Sequence, residues 1–164
     1  MKVLFVCMGN ICRSPIAQGV FSKLIRDANL QEIVYIDSAG THAFQLGQPP
    51  DPNAQSTTLK HGINISNVRA RRIEEADFWR SDFIVAMDRQ NYHDLLLSCP
   101  PKQTHKLRLF MTYASDGEPL DIPDPYGGGV DGFERVLGLI DAASRGLLDA
   151  VRTQINSAAK GNPA

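Results

Sequence analysis

Apolar positions along the chain fall into two rhythms. Lys2 to Val6 is a short run rich in β-formers, the pattern of a buried strand. After Ser14, the residues Ile16, Ala17, Val20, Phe21, Leu24, Ile25 and Ala28 recur at helical spacing. Pro15 suits the first turn of that helix, where its missing N–H costs nothing. Residues 33–37 (IVYID) predict a second strand, closed by the turn-like SAGT, and Asp51 is an N-cap candidate for a short helix that stops at Gly62. Residues 82–87 (DFIVAM) predict a third strand, followed by a helix from Asp88 to Leu97, and residues 105–110 (HKLRLF) alternate as a fourth strand does. The segment 116–132 is crowded with Pro, Gly and Asp and predicts a long surface loop. Phe133, Val136, Leu137, Ile140, Leu147, Leu148, Val151 and Ile155 then share one face of a final helix. Strands alternating with helices predict an α/β domain with a parallel sheet, whose ligands gather at the carboxyl ends of the strands. Cys7 falls at one such end, and the 116–132 loop follows another.

Composition narrows the picture. A chain of 164 residues with 43% hydrophobic and 21% charged content is expected to form one domain with a sizeable core. Seventeen basic against eighteen acidic residues give a net charge of −1, so no nucleic-acid partner is expected and any anion recognition must be local. No apolar stretch reaches bilayer length and the VLFV run is too short for a signal-peptide core; no membrane association and a cytoplasmic location are the expectation. Three cysteines, an odd number, argue against a disulfide-stapled fold and for a thiol with a chemical task.

Residues 7–14 read CMGNICRS. The chain must turn sharply there, and Gly9 and Asn10 are types that tolerate awkward dihedrals. A tight loop entering a helix aims backbone N–H groups and the positive end of the helix dipole at one point, a cradle of phosphate size. Met8, Gly9, Asn10, Ile11, Cys12, Arg13 and Ser14 are the residues expected to form it, with Arg13 closing it as a bidentate fork and Cys7 at its floor. A helix N-terminus and a neighbouring cation favour the thiolate, and the Ser14 hydroxyl is placed to donate to the sulfur. A charged sulfur beneath a tetrahedral-anion pocket points to phosphoryl transfer through a covalent cysteine intermediate.

Such a reaction needs an acid for the departing oxygen, and the loop offers Asp121 and Asp124. Pro123 and Pro125 bracket Asp124 and favour it. Phe44 and Tyr126, both in turn-rich segments, are candidate walls for an aromatic substrate ring. Asn10 is expected to fix the loop through its side-chain amide, with Ser38 as a partner. No G-x4-G-K-[ST] and no metal-ligand cluster occur in the sequence, so no metal or other cofactor is expected. His42 and His61 read as surface or cap residues, Cys99 as structural, and RARR (69–72) as a solvated surface, with steering of acidic phosphopeptides as the alternative.

CMGNICRSP, together with DSAGT (37–41), GQPPDP (47–52), HGI (61–63), AMD (86–88) and DPYGG (124–128), resembles the low-molecular-weight protein tyrosine phosphatase family in order and spacing. The resemblance covers 1–157 and leaves 158–164 as a frayed tail. It implies a single three-layer domain with a four-stranded parallel sheet flanked by helices, and the phosphate-binding loop between strand 1 and helix 1. It further implies tyrosine-phosphorylated protein substrates, Asp124 as the acid and a protective Cys7–Cys12 disulfide; a plain buried role for Cys12 stays open, and a monomer is the plain expectation. Two departures stand out: Gly127 occupies a position that is aromatic in many relatives, and Asn67 and Val68 stand where a histidine often braces the loop asparagine. The same fold serves thiol-coupled arsenate reductases, which need a cysteine pair where only Cys99 lies. It also serves phosphoarginine phosphatases, which tend to carry threonine where Ile11 stands. A non-catalytic phosphotyrosine-binding or redox-sensing module is the alternative from another class.

Overall fold

The computed structural model describes residues 1–116 and 118–160. Four parallel strands, β1 (Lys2–Cys7), β2 (Tyr35–Gly40), β3 (Phe83–Ala86) and β4 (Leu107–Leu109), pair in the order β2-β1-β3-β4. Among the described residues five α-helices cover them: α1 (Arg13–Asp27), α2 (Pro52–Lys60), α3 (Glu75–Arg80), α4 (Arg89–Ser98) and α5 (Gly129–Lys160). Strand β1 is apolar on both faces because both are covered. Val3, Phe5 and Cys7 point into a core with Ile16, Phe21, Val136 and Ile140 of α1 and α5. Leu4 and Val6 point the other way, into a smaller core with Phe78 of α3 and Leu95 of α4. The order reverses beside β1, and at such a switch point the loops at the carboxyl ends of β1 and β3 splay apart and leave a crevice. No helix among the described residues is long and apolar enough to cross a membrane.

Several expected boundaries move. The second strand begins two residues later than expected and continues through Gly40, because Ser38, Ala39 and Gly40 pair in register with Phe5, Val6 and Cys7. The residues SAG therefore belong to the sheet, not to a turn. The fourth strand shrinks to three residues between two 3₁₀ turns, Pro101–Lys106 and Phe110–Tyr113. Helix α3 lies in a stretch without long periodicity and is set by a capping box: Glu74 accepts from the Asp77 amide, and the Asp77 side chain from the Glu74 amide. Helix α5 starts at Gly129, four residues before the first apolar position of its face, so the surface loop is shorter than 116–132. The expected tail from 158 begins inside α5; residues 161–164 lie outside the described residues.

Candidate active site

Between the end of β1 and the start of α1 the chain has five residues in which to turn. Asn10 takes the left-handed conformation (φ 57°), which its short polar side chain tolerates. Its backbone N–H points at the Cys7 sulfur, 3.3 Å away. Its side-chain Nδ2 donates to Ser14 Oγ and Ser38 Oγ, both at 2.9 Å, and its Oδ1 accepts the Arg71 N–H at 2.9 Å. Ser14 Oγ lies 3.0 Å from Cys7 Sγ, and Ser38 Oγ donates to Gln18 Oε1. The loop backbone is tied down as well: the Cys7, Met8 and Ile11 carbonyls accept from the Thr41, His42 and Asp51 amides. Gly40 makes this close approach feasible, since a Cβ there would stand 2.6 Å from the Met8 carbonyl oxygen.

Arg13, the first residue of α1, is only 1% exposed. Its Nη1 donates to Asp88 Oδ2 and, at 3.0 Å, to the Ile122 carbonyl; its Nη2 lies 3.3 Å from Asp124 Oδ2. Burial opposes its charge, but Cys7, Asp88 and Asp124 outweigh burial and hold the guanidinium above its ordinary range. One edge of the fork is therefore fixed in place and the other faces the pocket.

The two candidate acids have different surroundings. Asp121 is gripped by Arg89 through its backbone amide, Nε and Nη2, and this pairing holds its carboxyl below the usual carboxylate range. Asp124 instead faces the cavity, with Oδ1 accepting from the Tyr126 amide at 3.2 Å. The intervening Ile122 is fully buried, and its amide donates to the Met87 carbonyl at the end of β3. That anchor sets the loop over the carboxyl ends of the strands.

A cavity of about 280 Å³ is lined by Cys7, Met8, Gly9, Ile11, Cys12, Arg13, Phe44, Gln45, Asp124 and Tyr126. Phe44 and Tyr126 are 70% and 66% exposed, as rims of a mouth rather than core residues. The Phe44 ring also stacks on His42, centroids 5.2 Å apart and planes within 6°. Asn10, Ser14 and Ser38 lie buried behind the cavity and brace it. Cys12 is buried on its wall; burial first, then Asp51 and Cys7, push its thiol up. All three cysteines are unpaired.

Three contributors escape sequence reasoning. Asp88 caps α4 by accepting from the Asn91 amide and at the same time holds Arg13; an aspartate closing a strand at its carboxyl end was the available signal. Gln45 had none beyond its neighbour Phe44. Arg71 is the third: Arg69 and Arg72 of RARR are exposed as expected of a solvated surface, but the Arg71 guanidinium is drawn into Asp37 and Asp77. The Arg71 main-chain amide also donates to the Asn10 oxygen, in a loop where Asn67 and Val68 stand in place of the bracing histidine.

A model of the family "Low molecular weight phosphotyrosine protein phosphatase" matches residues 2–157. A Streptomyces coelicolor low molecular weight protein-tyrosine-phosphatase is 42% identical over 161 residues, covering 96% of this chain and 98% of its own. The crystal structure of a protein tyrosine phosphatase from Entamoeba histolytica superposes with a TM-score of 0.90 at 36% identity, covering 94% of this chain and 98% of its own. A Drosophila arginine phosphatase gives 0.85 at 35% identity, covering 92% of this chain and 98% of its own.

Proposed function

Because the chain belongs to the low molecular weight phosphotyrosine protein phosphatase family, we propose that its cavity hydrolyses phosphotyrosine through a phosphoryl group carried on Cys7. The activity is that of a protein-tyrosine phosphatase, a hydrolase. The phosphate of the substrate docks on the loop amides and the pocket-facing Nη2 edge of Arg13, with the phenyl ring between Phe44 and Tyr126. Cys7 Sγ attacks phosphorus in line, and the bond to the phenolic oxygen breaks as Asp124 protonates that oxygen. Asp124, now a carboxylate, takes a proton from water, which attacks the phosphocysteine and releases phosphate and the Cys7 sulfur. Ser14, 3.0 Å from the sulfur, donates to it as it attacks and as it leaves. When a peroxide oxidises the Cys7 thiolate to a sulfenic acid, Cys12 attacks that sulfur, the disulfide forms and water leaves. The cycle draws on no metal or cofactor, and the protein acts as a monomer in the cytoplasm on tyrosine-phosphorylated proteins.

One observation supports this division of labour above the others: the Cys7 thiol, the Arg13 fork and the Asp124 carboxylate line the same small cavity. The test is turnover of para-nitrophenyl phosphate and of a phosphotyrosine peptide. Activity abolished in Cys7→Ser and slowed about 10²–10⁴-fold in Asp124→Ala for the peptide is the expected result. A fully active Cys7→Ser protein would overturn the assignment. Phosphoarginine is the second substrate to assay, on the likeness to the Drosophila arginine phosphatase. Ile11 lines the cavity with a bulky apolar side chain, which suits a phenyl ring better than a guanidinium.

A further inference from the structure

We infer that Arg71 is a positioning residue for the phosphate-binding loop, acting through its own peptide N–H; the inference rests on the assignment of that loop as the phosphate site. The left-handed turn at Asn10 aims its backbone N–H at Cys7 Sγ, and the turn is held by the Asn10 side chain. The amide nitrogen of that side chain has two serine partners, while its oxygen accepts from Arg71. The Arg71 peptide is thus a bridge. Its N–H goes to the loop and its carbonyl accepts from Gly40 at 2.8 Å, at the carboxyl end of β2.

The side chain decides where that peptide sits. Residues 61–74 join α2 to α3 with no regular element beyond one isolated bridge between Gly40 and Arg72. The Arg71 guanidinium spans two elements, donating to Asp37 of β2 at 2.8 Å and to both oxygens of Asp77 of α3 at 2.8 and 3.0 Å. Asp77 is buried and accepts the Glu74 amide besides, so this anchor is fixed on its far side. A planar fork on two carboxylates sets both the distance and the direction of the arginine backbone, which a point charge does less well. The strand end, the short helix and the nucleophile loop are in this way joined through one residue that never touches substrate. Backbone bonds of Gly47 to Ala70, Ala70 to Gln48 and Ile73 to Gly40 keep the segment folded when the side chain is shortened.

The experiment compares wild type, Arg71→Ala, Arg71→Lys, Asn10→Ala, the Arg71→Ala/Asn10→Ala double variant and Lys2→Ala, using para-nitrophenyl phosphate as substrate and inorganic phosphate as competitive inhibitor. Lys2 faces the same two carboxylates from β1 but makes no bond to the loop, so its loss reports on stability alone. Arg71→Ala is expected to lower kcat/KM by about tenfold or more and to weaken phosphate inhibition, the scale set by small misplacement of a reacting group. Arg71→Lys recovers part of that loss, and Lys2→Ala keeps wild-type kinetics. The double variant is expected to be no slower than Asn10→Ala alone, because both changes break one connection. Additive losses in the double variant, or wild-type kinetics and phosphate inhibition in a folded Arg71→Ala protein, would overturn the inference. A wild-type protein inert toward aryl phosphates would instead sink the phosphatase assignment beneath it.

Discussion

Asp121 and Asp124 stand three residues apart on one loop and meet different partners. Asp121 neutralises Arg89 on the surface, whereas Asp124 faces the cavity beside Arg13. A carboxylate gripped by an arginine away from the cavity cannot reach a leaving group, whereas one that lines the cavity can. Asp124→Asn is therefore expected to slow cleavage most for substrates with basic leaving groups and least for activated aryl esters. Asp121→Asn changes kcat by less than about threefold, the effect of a loop slightly loosened rather than an acid removed. Steady-state rates across a series of substituted phenyl phosphates check both, and equal losses in the two variants would reverse the assignment. At this scale the sequence was legible where a residue type carries its chemistry in its own motif: Cys7, Arg13, Ser14 and the Asp124 bracketed by prolines. It was silent where the task falls to a main-chain group, as with the Arg71 amide, because backbone donors are identical in every residue but proline.

At the scale of elements, packing sets what periodicity alone leaves open. Ser38 and Gly40 are of turn-forming types, yet parallel pairing with β1 draws them into β2 and thereby sets Ser38 against Asn10. Among the N-terminal four residues of α5 the one apolar side chain, Val130, is exposed and lies off the buried face, so the pattern shows the helix only from Phe133. The same helix crosses the 3₁₀ turn at Phe110–Tyr113 so closely that Gly146 has no room for a side chain. A Cβ there would lie 1.9 Å from the Tyr113 carbonyl oxygen. Gly146→Ala must push α5 off the turn, despite the higher helix propensity of alanine. An overpacking cost of about 1–3 kcal/mol is expected, read as a melting temperature lower by several degrees. A Tm at or above wild type would show that α5 gives way freely at this crossing.

For the whole molecule, the alternation of strands and helices sufficed to place Cys7 and the acid loop at the carboxyl ends of the strands of a parallel sheet, since the connection rules of such sheets leave few alternatives. The charge network beneath β2 was not legible, because Lys2, Asp37, Arg71 and Asp77 are far apart in sequence and only folding gathers them. Burial works against the Asp77 carboxylate, but Arg71, the Glu74 amide and Lys2 outweigh it and hold its pKa below the ordinary value of 3.8. Its contribution to stability is then fully present above that value and fades as pH falls through the lower, folded one. Over that acid window the unfolded chain binds the extra proton, so stability rises with pH. Asp77→Asn is expected to lower Tm at neutral pH and to flatten the acid limb of the Tm–pH curve. A variant whose acid limb stays parallel to wild type would mean that the network contributes nothing there.

Whether the phosphoryl group passes through Cys7 is open to a single observation. Acid quench of the Asp124→Ala protein during turnover of para-nitrophenyl phosphate, followed by mass analysis of its peptides, should find one phosphoryl group on the peptide that carries Cys7. Nitrophenol release with the phosphoryl group on any other residue, or on none, would contradict it.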